Sequence, residues 1–87
     1  MRVLLPTHVQ SYTGGTAELD LPDAPTLTAL FTELDARYPG LRFRVIDEQG
    51  AMRPHFKAFV NGEIERDMQA ALPAGAEVML VAALSGG

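Results

Sequence analysis

The sequence predicts a single α+β domain in which one helix covers one face of a small mixed sheet. Three observations predict it. A single apolar stripe at helical spacing, Leu27, Leu30, Phe31, Leu34 and Tyr38, stands near the middle of the chain. Segments alternating at period two, or apolar throughout, lie on both sides of it. The dipeptide Asn61-Gly62 punctuates the second half, the strongest short-range signal of a tight hairpin.

From the start of the chain, Val3, Leu5, Thr7 and Val9 alternate with Arg2, Leu4, Pro6 and His8, which predicts a strand over residues 2–9. Pro6 has no N–H to give a ladder, so that side of the strand is unpaired there. Residues 11–15 form a turn, with Gly14-Gly15 free to take positive φ. Alternation resumes over residues 16–21, completing a first hairpin. Pro22-Asp23-Ala24-Pro25 breaks it, and Thr26 is placed to cap the helix N-terminus. Glu33 and Arg37 make a favourable i,i+4 pair on the wet side, and Pro39-Gly40 stops the helix. Residues 41–54 read equally as a helical turn or an extended edge, with a loop at Asp47-Glu48-Gln49-Gly50. A strand over residues 55–60 then turns at Asn61-Gly62 into a short return strand, Glu63 to Glu65. After the turn Leu72-Pro73-Ala74-Gly75, a last strand runs from Glu77 to Leu84. Hairpin, helix, hairpin and last strand, with four or five strands on one main helix, is the order of a β-grasp, the ubiquitin-like architecture.

Composition limits what such a domain does. The 87 residues make one unit, expected as a folded body over residues 1–85 and a flexible Gly-Gly tail at 86–87. No apolar run approaches the length of a membrane span, and the first residues are too soon interrupted for a signal peptide, so the cytoplasm is the expected location. Seven basic and eleven acidic residues give a net charge of −4, and the basic ones form no stripe; nucleic acid is not an expected partner. There is no cysteine, which excludes disulfides, thiolate metal sites and a thiol nucleophile. His8 and His55 are too few for a zinc site and read as strand-edge residues. Gly14-Gly15 lacks the Lys-Ser/Thr and the following helix of a phosphate loop. The chain is expected to bind no metal or cofactor and to be no enzyme by itself.

Two features carry the functional expectation. The last strand breaks the alternation of a sheet with one wet face: Val78, Leu80, Ala82 and Leu84 are apolar, and so are Met79, Val81 and Ala83. One helix cannot cover both faces. Val78 and Leu80 are therefore assigned to the core, and Met79 and Val81 to an exposed apolar face of the kind that binds a partner. The alternative is that residues 41–54 fold over that face. Phe43, Phe56 and Phe59 belong either to the core or to an interface. The second feature follows the strand at once: Ser85, then Gly86-Gly87. Without Cβ atoms such a tail can be drawn extended into a channel too narrow for side chains. It would deliver the α-carboxylate of Gly87 into another enzyme's active site.

Three stretches together resemble the ThiS/MoaD family of ubiquitin-like sulfur carriers. They are Val81-Ala82-Ala83-Leu84-Ser85-Gly86-Gly87, Phe59-Val60-Asn61-Gly62-Glu63, and the opening Leu5-Pro6-Thr7 with Tyr12-Thr13-Gly14-Gly15. With Tyr38-Pro39-Gly40 and Asp47-Glu48-Gln49-Gly50, the chain looks most like the branch serving cysteine biosynthesis, the CysO type. Molybdopterin synthase small subunits often carry a Pro-Pro pair where this chain has Ala82-Ala83. The resemblance implies a terminal carboxylate, ionised at neutral pH since its ordinary pKa is about 3.3–3.7, that attacks ATP. A ubiquitin-activating-like adenylyltransferase would use the ATP and form an acyl-adenylate on Gly87. Sulfide then displaces AMP and leaves a thiocarboxylate. Alternatively, a persulfide donor displaces AMP as an acyl disulfide that a second thiol cleaves, forming a disulfide and leaving the thiocarboxylate. Its sulfur passes to a sulfur-accepting synthase. Thiazole, molybdopterin and other acceptors stay open beside cysteine. So do a molybdopterin synthase small subunit and a ubiquitin-like modifier as the identity of the chain. On this reading Gly87 is the modified residue, Ser85 and Gly86 its tail, and Met79, Val81 and Phe59 the partner-binding residues.

Overall fold

A computed structural model describes residues 1–83. Five strands make one sheet in the order β2-β1-β5-β3-β4. The strands are β1 (Arg2–Leu4), β2 (Glu18–Asp20), β3 (Phe56–Val60), β4 (Glu63–Glu65) and β5 (Glu77–Ala82). β1 and β5 are parallel neighbours, with Val3 opposite Val78, and the remaining pairs are antiparallel. A parallel pair needs a long crossover, and helices α1 (Leu27–Arg37) and α2 (Leu41–Val45) lie within it. The architecture is the expected β-grasp.

The strand expected over residues 2–9 is corrected. β1 ends at Leu4, and Thr7–Thr13 is a 3-10 helix that begins after Pro6. Leu5 still donates its N–H to Ala17 at 2.8 Å, but proline can donate nothing to the ladder, so the sheet stops and the chain coils. Leu5, Val9 and Thr13 are buried four residues apart, a helical period that the alternation of Val3, Leu5, Thr7 and Val9 conceals. His8 is thus an exposed residue of this helix and belongs to no strand edge. Positive φ at Gly14 (65°) and Gly15 (91°) returns the chain to β2.

The helix stripe builds the core. Leu27, Leu30, Phe31 and Leu34 of α1 are buried against Val3, Val78, Leu80 and Phe56 of the sheet. The Thr26 hydroxyl accepts the Ala29 N–H at 3.1 Å, satisfying a donor the helix itself cannot. Tyr38 is the half-buried C-cap. Asp35 then accepts the N–H groups of Gly40 at 3.1 Å and Arg42 at 3.2 Å, which ties α1 to α2.

Residues 41–54 resolve in favour of the helical turn. Leu41, Val45 and Ile46 are buried in the same core as α1, so this segment covers the helix side and leaves the outer face of the sheet open. The Asp47 carboxylate accepts from the N–H groups of Gln49 and Ala51, and Ile46 bridges Met52. Asn61 at φ 49° and Gly62 at φ 85° close the β3-β4 hairpin, both in the left-handed region that such a turn needs.

Candidate functional site

The outer face of the sheet follows from register and period. Phe59 stands opposite Met79 on one side and Ile64 on the other, and Met79 stands opposite Leu4. Directly paired residues share a face. Leu4, Met79, Phe59 and Ile64 therefore make one apolar row across β1, β5, β3 and β4. Val81 lies two residues along β5 from Met79, on the same face, opposite Lys57. Val78 and Leu80 point the other way and are 1% and 2% exposed, whereas Met79 is 39% exposed. Phe59, Val81 and Leu4 are half-buried.

The structure thus brings Met79, Phe59 and Val81 together on one surface, opposite the helices. Leu4 and Ile64 complete that surface and were missed in the sequence. Leu4 was set among Arg2, Pro6 and His8, and an apolar residue in that polar company was the available signal. Phe56 is core at 2% exposure, while Phe43 projects from α2 at 58%.

β5 is the central strand, bonded to β1 on one edge and β3 on the other. Its pairing with β3 extends to Phe56 opposite Ala82, and the Ala83 N–H donates to the His55 carbonyl at 2.7 Å. The chain is thus fixed at its last described residue. The expectations for Leu84, Ser85, Gly86 and Gly87 lie outside the described residues. Among the described residues, no three His, Asp or Glu side chains group as metal ligands, and no helix is long and apolar enough to cross a membrane.

The ends of β3 and β5 gather basic groups that the sequence leaves scattered. Arg44 and Arg53 line one shallow hollow with Tyr12, Gly40, Phe43 and His55. The Arg53 guanidinium lies 4.7 Å from the Phe43 ring centroid, and its Nε donates to the Phe43 carbonyl at 2.9 Å. The Arg44 guanidinium lies 5.4 Å over the ring of Phe56.

A parallel β1-β5 pair at the centre of a five-stranded sheet, with helices on one face and an apolar row on the other, defines a ubiquitin-like β-grasp protein. Residues 3–87 match the model of the ThiS family. The chain belongs to that family, whose members are ubiquitin-like proteins of the sulfur-carrier and modifier kind. Among solved structures it is similar to CysO of Mycobacterium tuberculosis, at 27% identity and a TM-score of 0.86 over 95% of this chain and 98% of that one. It is similar as well to SAMP1 of Haloferax volcanii, at 27% identity and a TM-score of 0.76 over 100% of this chain and 98% of that one. A chain of the BexX/CysO complex of Amycolatopsis orientalis shares the fold, with 21% identity and a TM-score of 0.87 over 99% of this chain and 98% of that one. No curated protein sequence matches the chain significantly.

Proposed function

We propose that this chain is a sulfur carrier, not an enzyme by itself, whose Gly87 carboxylate is adenylated and then converted to a thiocarboxylate. The observation that carries the reading is the strand order. β5 is the central strand, paired with β1 over residues 77–79 and with β3 as far as Ala82. Ala83 is bonded to His55, so the segment ending in Gly86-Gly87 continues directly from the middle of the sheet. Residues 1–85 serve as the body that a partner grips, and residues 86–87 as the part it threads. A rigid body with a slender end lets a partner spend its binding energy on placing one carboxylate. ATP belongs to the activating enzyme, and the carrier binds no cofactor of its own. Met79, Phe59 and Val81 dock that adenylyltransferase, and a sulfur donor and a sulfur-accepting synthase act in turn on the same terminus. The cytoplasm is the compartment of such chemistry. Likeness to CysO over nearly the whole chain favours a cysteine-type acceptor pathway.

Intact mass tests this directly. Incubated with its adenylyltransferase, ATP and a sulfur donor, the chain should gain the mass difference between one sulfur and one oxygen atom, localised to Gly87. Deleting Gly87 should abolish the gain and leave the melting temperature unchanged. An undiminished gain in the truncated chain would overturn the assignment. Likeness to SAMP1, a small archaeal modifier protein, supports a second reading, attachment to lysines through the same carboxylate. Isopeptide-linked products in place of the thiocarboxylate would establish that reading instead.

A further inference from the structure

Four large apolar side chains are exposed among the described residues: Tyr12, Phe43, Ile64 and Met79. Ile64 and Met79 belong to the outer sheet face. Tyr12 and Phe43 do not; they project from the 3-10 helix and from α2, and they share their hollow with Arg44, Arg53 and His55. Both arginines are held in place, Arg44 over the Phe56 ring and Arg53 on Phe43 by ring and carbonyl together. Arg2 pairs with Glu18 at 2.6 Å and Arg37 with Glu33 at 3.2 Å. Arg42 and Arg66 have no carboxylate partner among the described residues, but they are not held on a ring as Arg44 and Arg53 are. Among the described residues no carboxylate pairs with Arg44 or Arg53, although the chain has eleven acidic residues and a net charge of −4. Two ordered and unpaired guanidinium groups beside exposed aromatic rings, on an acidic protein, form a patch of opposite sign to its surroundings.

We propose that Tyr12, Phe43, Arg44 and Arg53 form a second protein-docking surface, which takes a partner segment bearing carboxylates beside apolar side chains. The proposal rests on the carrier reading in one respect, that the partner is an enzyme receiving the tail. Its location follows from the Ala83 N–H bond to the His55 carbonyl at 2.7 Å. The hollow borders the point from which the chain continues past β5, so the rim of a site that swallows the tail meets this patch. Tyr, Phe and Arg are the residue types that dominate interface energies. A planar guanidinium matches a carboxylate in two parallel hydrogen bonds, and stacking on a ring has already restricted each arginine, so less freedom is lost on binding. A free phosphate would make no use of the Phe43 ring, 58% exposed beside Arg53. A protein surface would cover it.

The test is a binding titration of the full chain against two purified enzymes, the adenylyltransferase that activates it and the synthase that accepts its sulfur. Three variants are compared with the wild type: Arg44→Glu with Arg53→Glu, Phe43→Ser alone, and Arg37→Glu as a control on an internally paired arginine that does not line the hollow. Melting temperatures verify the fold, and Phe43→Ser keeps the test open if the double variant is unstable. At least one enzyme should lose about tenfold in affinity for the double variant and for Phe43→Ser, the scale of an interface hot spot. Its wild-type affinity should weaken with added salt, and the double variant should lose that dependence. The control should bind normally. Unchanged binding of both enzymes to folded variants would overturn the proposal, as would inorganic phosphate or ATP binding to the isolated chain that the double variant loses. A wild-type chain that binds through this patch but gains no sulfur would sink the carrier reading and leave the docking surface standing.

Discussion

Met79 and Leu80 are adjacent in sequence and have opposite environments, Met79 being 39% exposed in the apolar row and Leu80 2% exposed beneath α1. A carboxylate at position 80 would sit among Phe31, Phe56 and Val78 with nothing to solvate it, a cost that exceeds the stability of a small domain. The same group at position 79 faces water in the isolated protein and is buried only when a partner covers the sheet. Leu80→Asp should therefore unfold the chain, by circular dichroism and by loss of a cooperative melt. Met79→Asp should fold normally and slow adenylation at least about tenfold, as expected where a charge meets an interface core. A melted Met79→Asp variant beside a folded Leu80→Asp variant would invert the two faces. At the same scale, Gly40 is the position where a side chain meets resistance. Its φ is 96°, and an added Cβ would lie 3.1 Å from the Tyr12 ring.

Among elements, α1 carries the fold. Leu30 and Leu34 are 0% exposed, at the centre of its buried stripe. Leu34→Ala should cost about 2–5 kcal/mol, most of the stability of a domain this small, whereas Thr26→Ala, which removes only the cap, should cost about 1 kcal/mol. Urea midpoints measure both. Neither change touches the outer face, so adenylation per folded molecule at low temperature should match the wild type. A large loss of rate in fully folded Leu34→Ala would show that the helix side takes part in recognition. The elements least legible in the sequence are the 3-10 helix and α2. Leu5 and Val9 fit a two-residue and a four-residue period equally, and five residues of α2 are too few for periodicity to separate helix from strand.

Across the whole molecule, stability should rank by position in the sheet. β5 lies between β1 and β3, whereas β2 and β4 are edges of three residues each. Native-state hydrogen exchange should be slowest at the buried β5 residues Val78 and Leu80 and fastest in β2 and β4. Equal protection across the five strands would contradict a scaffold built around the strand that leads to the tail. The sequence by itself determined the order of the five strands and the main helix, the helix stripe with its Thr26 cap, the Asn61-Gly62 hairpin and the split of β5 into Val78-Leu80 and Met79-Val81. These are local features, set by period, capping and turn chemistry within a few residues. Only the tertiary structure decided what depends on pairing between distant segments. Register across four strands joins Leu4 and Ile64 to Met79 and Phe59, and the packing of α2 under α1 keeps that row uncovered. Folding likewise gathers Tyr12, Arg44 and Arg53 into one patch, because contacts between residues far apart in the chain leave no period in the sequence for a reader to find.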